Sequence, residues 1–183
     1  GRTTLQTYAK LASHAAQLAH GFHEKLGLTQ KDRIAIASKN CPEYIESMYG
    51  IWWGGFVAVP ANAKLHGSEL GYILNNSDAK VCLVGPELYD AIDQYRPVNL
   101  EHLIIIGGTE YKDLLLSNPM PLAHVKSDDT AWLFFTSGTT GQPKGAMLTH
   151  GNLNAMAKMH QDHVDPADTT DSVVHAAPLS HGS

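Results

Sequence analysis

The sequence predicts an α/β fold, a largely parallel sheet covered by helices, and three observations carry that expectation. Short runs rich in Val, Ile and Ala recur at 33–37, 56–60, 80–84 and 102–106, each the length of a buried strand. Between them lie segments whose apolar residues recur at helical spacing. Glycine or proline stands at most of the joins, as at Gly27, Pro42, Gly54, Gly55, Gly85 and Pro86.

Taken in order, a helix is expected over 7–26, with Leu11, Ala15, Leu18, Ala19, Phe22 and Leu26 on one stripe and Gly27 as its stop. The strand at 33–37 follows. Asn40 is then placed to cap, and Pro42 to open, a helix carrying Tyr44, Ile45, Met48, Tyr49 and Trp52, which Gly54 and Gly55 end. After the strand at 56–60, Ser68 and Glu69 start a helix through Leu70, Ile73 and Leu74. The strand at 80–84, a weaker helix at 87–94, the strand at 102–106 and a short helix at 111–116 continue the alternation. A connector, Asn118-Pro119-Met120-Pro121, leads to a possible subdomain boundary near 117–128. Beyond it come a strand at 131–135, an outgoing strand at 146–149, a helix at 150–163, a turn at 165–168 and a last strand at 172–177.

Composition narrows the function classes. At 183 residues, 43% hydrophobic and 17% charged, the chain is long enough for one well-buried domain and has nothing of a disordered segment. A formal net charge of −5 argues against a nucleic-acid partner, which needs clustered Lys and Arg. No apolar run reaches the length of a bilayer span, and the N-terminus lacks the pattern of a signal peptide, so a cytoplasmic setting is expected. Cys41 and Cys82 lie far apart and read as small core residues. His20 with His23, and His160 with His163, stand three apart and could each share a helix face as metal ligands. Neither pair has a carboxylate or cysteine at ligand spacing, so they are read as solvated helix faces and no metal site is assigned.

The most informative stretch is Thr136-Ser137-Gly138-Thr139-Thr140-Gly141-Gln142-Pro143-Lys144-Gly145. Glycines 138, 141 and 145 are expected to permit positive φ and close backbone approach, so that successive N–H groups can line an anion-binding concavity. Ser137, Thr139 and Thr140 add hydroxyl donors, and Lys144 adds a mobile positive charge. Trp132, Phe134 and Phe135 are expected as core beneath the loop. A Walker pattern is excluded, because counting from Gly138 puts its second glycine on Pro143.

This ten-residue string resembles, at every position, the signature of the adenylate-forming superfamily, which includes acyl-CoA synthetases, luciferases and peptide-synthetase adenylation domains. The likeness extends to residues 7–11, to 54–60 with 62–66, and to Pro178-Leu179-Ser180-His181-Gly182. It implies the N-terminal portion of the large domain of an adenylate-forming enzyme over 1–183, most like an acyl-CoA synthetase or long-chain fatty-acid CoA ligase. The later family motifs and the C-terminal domain are absent, so the chain is expected to be a fragment that is inactive alone. The resemblance further implies ATP, Mg²⁺ and coenzyme A as cosubstrates and cofactors, and a small carboxylic acid, fatty or aryl, as partner. A homo-oligomer is possible and no transmembrane segment is expected. Thr136, Ser137, Gly138, Thr139, Thr140, Gly141, Lys144 and Gly145 would bind the nucleotide phosphates, with Lys144 and His181 as catalytic residues. His181 either borders the acid or polar-caps a strand end. An amino-acid adenylation domain, a luciferase-type enzyme and a non-catalytic nucleotide-binding module remain as alternatives.

Overall fold

The computed structural model describes residues 6–136, 142–174 and 176–181. Its first helix, α1 (Tyr8–Glu24), is capped by Thr7, whose hydroxyl accepts the Lys10 N–H at 3.1 Å. Ala15, Leu18, Ala19 and Phe22 form its buried stripe, and Gly27 turns the chain at a φ of 67°. The alternation continues through β1 (Arg33–Ala37), α2 (Pro42–Trp53), β2 (Val57–Ala61), α3 (Gly67–Asn76) and β3 (Ala79–Val84). A 3₁₀ turn, Pro86–Leu88, precedes α4 (Tyr89–Asp93), so the expected helix at 87–94 is two short pieces. Then follow β4 (His102–Ile105), α5 (Thr109–Leu114), β5 (Thr130–Thr136), β6 (Lys144–Thr149), α6 (His150–His163) and a 3₁₀ turn, Leu179–His181.

The six strands form one sheet in the order β4-β3-β1-β2-β5-β6. All neighbours are parallel except β5 and β6, which pair antiparallel. Because β1 to β4 lie in a parallel sheet covered on both faces, their sequences read as near-continuous apolar runs and not as alternating ones. Ile34, Ile36, Val81 and Leu83 pack under α1, α2 and α5, while Ala35, Ala37, Cys82 and Val84 pack under α3 and α4. Helix α2 also reaches across to β5, where the Trp52 indole N–H donates to the Ala131 carbonyl at 2.9 Å. The connector before β5 is pinned too: the Trp53 indole N–H donates to the Met120 carbonyl, and the Ala123 N–H to the Trp53 carbonyl, both at 2.9 Å.

The expected strand at 172–177 is corrected. Residues 172–174, 176 and 177 have irregular, exposed backbone. A strand exists through its ladder, and the groups that meet Ala177 and Leu179 belong to the side chain of Asn40 and not to a neighbouring strand.

Candidate functional site

The Thr/Gly/Lys stretch connects β5 to β6. Register pairs Thr136 with Lys144, Phe135 with Gly145 and Phe134 with Ala146, so the antiparallel ladder runs up to the loop from both sides. Ser137, Gly138, Thr139, Thr140 and Gly141 lie outside the described residues. Thr136 and Lys144 flank them, and the Lys144 side chain is exposed, with no ion-pair partner among the described residues.

Gly145 meets a size requirement that the sequence reading did not include. Its φ is not positive; a Cβ built there would stand 3.1 Å from the ring of Phe135, the residue directly across the ladder. The glycine makes room for an aromatic lying across it, a device that pins cross-strand register. Of the three aromatics expected in the core, Trp132 is buried, whereas Phe134 and Phe135 are half-buried and lean to opposite faces of the sheet. Trp132 packs between Trp52 and Phe134, with ring centroids 5.9 and 6.0 Å away.

Parallel strands send their following loops to one edge of the sheet, so the loops after β1, β2 and β5 emerge together. The chain leaves β1 toward α2 on one face and leaves β2 toward α3 on the other. Adjacent strands whose helices diverge in this way leave a crevice between their C-terminal ends, where ligands of open α/β sheets bind. A cleft of about 250 Å³ occupies that place, lined by Ser38, Lys39, Asn40, Lys64, Pro178 and Ser180 among others. The Lys39 ammonium is 3.6 Å from Glu87, and Lys64 projects into solvent. His181 ends the 3₁₀ turn that begins one residue after Pro178, on the same edge.

Asn40 was expected to cap α2, and the structure places it elsewhere. The residue at the cap is Cys41, whose side chain makes no capping hydrogen bond, while the Asn40 amide donates to the Ala177 carbonyl at 2.8 Å and accepts the Leu179 N–H at 2.9 Å. Sequence reading missed this role; the available signal was position, since Asn40 follows β1 at the crevice. His20 and His23 are not on a solvated face. His23 hydrogen-bonds the Leu28 carbonyl at 2.8 Å and stacks at 4.6 Å on Phe56, and His20 carries a buried Nδ1. His160 and His163 are exposed as expected. Cys82 is buried, and burial pushes its thiol up to about 12; Cys41 is half-buried, its thiol raised by the same cause. Among the described residues, no three His, Cys, Asp or Glu side chains gather as a metal site, and no helix is long and apolar enough to cross a membrane.

The hairpin is anchored at its far end. The Lys31 ammonium meets Asp129 at 2.6 Å; this contact raises the lysine and holds the aspartate below its usual range. The Gly151 N–H donates to the Ser127 carbonyl at 2.8 Å, and a Cβ at Gly151 would strike Ser127.

A family model described as AMP-binding enzyme matches residues 1–183. The crotonobetaine/carnitine–CoA ligase of Salmonella heidelberg (strain SL476) is 34% identical over 161 residues, which are 80% of this chain and 31% of the relative. Among solved structures, the inhibitor-bound N-terminal domain of FACL13 from Mycobacterium tuberculosis is similar with a TM-score of 0.72 at 32% identity, covering 79% of this chain and 37% of that one. The anthranilate CoA ligase AuaEII in complex with anthranoyl-AMP gives a TM-score of 0.80 at 27% identity, covering 88% and 32%. The chain therefore spans under a third of the length of the curated relatives it matches.

Proposed function

From the premise that the chain belongs to the AMP-binding enzyme family, we propose that it forms the phosphate-gripping part of an enzyme that activates a carboxylic acid with ATP and passes the acyl group to coenzyme A. The observation that carries this reading is the mounting of the 136–145 loop: its flanks are locked by an antiparallel ladder, at the edge of the sheet where the β1–β2 crevice opens. In the first half-reaction a carboxylate oxygen attacks the α-phosphorus of ATP, and the bond from that phosphorus to the bridging oxygen of pyrophosphate breaks. Both reactants are anions, so the protein's task is to position them and to offset charge.

Lys144 suits that task, being exposed, beside the loop and without an ion pair among the described residues. It would lie against the β- and γ-phosphates and stabilise the leaving pyrophosphate, with loop hydroxyls and amides as further donors. Mg²⁺ would come with the nucleotide and share that charge. His181 would border the acid from the 3₁₀ turn. A fatty or aryl acid is the favoured class, supported by the 178–182 passage and by two similar solved structures, an anthranilate CoA ligase and a fatty acyl CoA synthetase; the crotonobetaine/carnitine ligase names an acid of another class. The second half-reaction replaces AMP by the thiol of coenzyme A on the acyl carbon. We also propose that residues 1–183 by themselves do not form acyl-AMP, because phosphate donors alone do not fix nucleotide and acid in near-attack geometry.

The test, made on the full-length protein to which residues 1–183 contribute, is acid-dependent pyrophosphate exchange, followed by thioester formation, with a panel of fatty and aryl acids. Exchange with at least one acid is expected. A folded protein giving no exchange across the panel overturns the reading.

A further inference from the structure

We propose that Asn40 is a positioning residue for acid activation: through its side-chain amide it fixes residues 177–179, and with them the turn that carries His181, over the β1–β2 crevice. The inference rests on the function proposed above, and extends it to a residue that lies on neither the loop nor the 178–182 passage. Three observations support it.

The first is the pattern of hydrogen bonds. The amide nitrogen of Asn40 donates to the Ala177 carbonyl at 2.8 Å, and its oxygen accepts from the Leu179 N–H at 2.9 Å. A carboxamide offers a donor and an acceptor side by side, as the main-chain N–H and C=O of one strand residue do. Asn40 therefore acts as one rung of a ladder for a segment that pairs with no strand among the described residues. It contacts two backbone groups two residues apart, so it fixes direction as well as place.

The second is location. Asn40, Pro178 and Ser180 line the same 250 Å³ cleft, and the clamped residues alternate with the lining ones. Holding 177 and 179 by their backbone orients 178 and 180 toward the cleft. The third is the hold on the other side: Leu179 packs against the core cluster under α1 and α2. One apolar contact leaves the segment free to slide or rotate, and the amide removes that freedom. Ala177 and Pro178 are exposed, so packing adds little hold at those two residues.

The experiment compares wild type, Asn40→Ala and Asn40→Asp in the full protein by two readouts. Hydrogen exchange at the Leu179 amide should quicken about tenfold in Asn40→Ala, the scale of one lost net hydrogen bond, and stay near wild type in Asn40→Asp, which keeps the acceptor. Acid-dependent pyrophosphate exchange should show kcat/KM for the acid lowered about tenfold in Asn40→Ala, with KM for ATP within about twofold and melting temperature within ~2 °C. Unchanged Leu179 exchange in Asn40→Ala overturns the clamp. Faster exchange with unaltered acid kinetics, or an equal loss for acid and ATP, overturns the positioning role. A wild type with no activity overturns the function reading and with it positioning for this reaction, while amide exchange still decides the clamp.

Discussion

The two halves of the sheet are built differently. In β1 and β3 nearly every side chain is enclosed: Ile34, Ala35, Ile36, Val81, Cys82 and Leu83 have no exposed surface, with helices on both faces. In the β5–β6 half, the first four residues of β6 are exposed and α6 buries no residue; Met147, Met156 and Met159 are 71%, 58% and 62% exposed. The first half supplies cooperative stability. The second carries the loop with the lysine and rests on local devices: a hairpin register, a capping box at Thr149 and the Lys31–Asp129 pair. Elements that grip ligands belong at the low-stability end of a structure, where they can adjust without unfolding it.

The largest expected effect tests that division directly. Ile36→Ala, in the middle of β1, should cost about 2–5 kcal/mol through lost transfer energy and an unfilled cavity. Met147→Ala should stay within about 0.5 kcal/mol. Urea unfolding midpoints of the two variants decide; equal costs would mean that the hairpin half is as much a core element as β1.

Activity should invert the ranking. In the full-length enzyme, Lys144→Ala should leave the unfolding midpoint unchanged but lower the adenylation rate by about 10²-fold, the scale of losing one donor to a developing oxyanion. Single-turnover formation of acyl-AMP measures it. A wild-type rate would assign the phosphates to the loop's backbone amides alone.

Legibility in the sequence followed the same line. Buried strands announced themselves, because burial on both faces demands unbroken Val, Ile and Ala: 33–37 matches β1 residue for residue, and β2 to β4 fall within one residue at each end. The helix of α1 was legible from its stripe and from Gly27. The 136–145 stretch stood out as a string of residue types suited to phosphate chemistry, and its flanks, Thr136 and Lys144, pair across the β5–β6 ladder. What eluded the sequence was tertiary. Asn40 reads as a helix cap, since cap and clamp use the same amide and only the partner 137 residues on distinguishes them. Gly145 reads as a flexible glycine when its neighbour across the ladder dictates its size. The 172–177 segment has strand composition, yet its described residues join no ladder. His23 reads as solvated because the Gly54 carbonyl and the Phe56 ring that meet it come from a distant segment.

The pinned register at the loop gives a smaller effect. Gly145→Ala forces the Phe135 ring aside by a few tenths of an ångström and should destabilise by about 1 kcal/mol, the lower end of overpacking costs. In the double variant Gly145→Ala with Phe135→Leu, part of that cost should disappear, leaving a coupling of about 0.5 kcal/mol or more. Additive costs would show that ring and glycine do not share the space, and the two strands would then be held in register by their backbone ladder alone.

The smallest effect separates the halves by pH. In the core half, burial raises the Asp32 carboxyl, but the Thr29 N–H at 2.7 Å, the Thr29 hydroxyl and the Lys80 ammonium together outweigh it and hold the group below its ordinary value. A group depressed in the folded state binds fewer protons there than in the unfolded chain, so the stability it contributes is complete above the unfolded pKa and is lost as pH falls through the folded one. For Asp32 that window lies below about pH 4. In the hairpin half, partial burial lowers His150, against an opposing pull from Asp129. The same sign applies, but the window opens at about 6.5 and extends downward. Melting temperature should therefore decline in two steps on acidification, the first small, below the ~4 °C that about 1 kcal/mol moves a domain of this size. His150→Gln should flatten the step between pH 7 and 5 and leave the acid step intact; Asp32→Asn should reduce the acid step and leave the upper one. If His150→Gln retained the upper step, a histidine elsewhere would be its source, and the hairpin half would carry no titration of its own in that range.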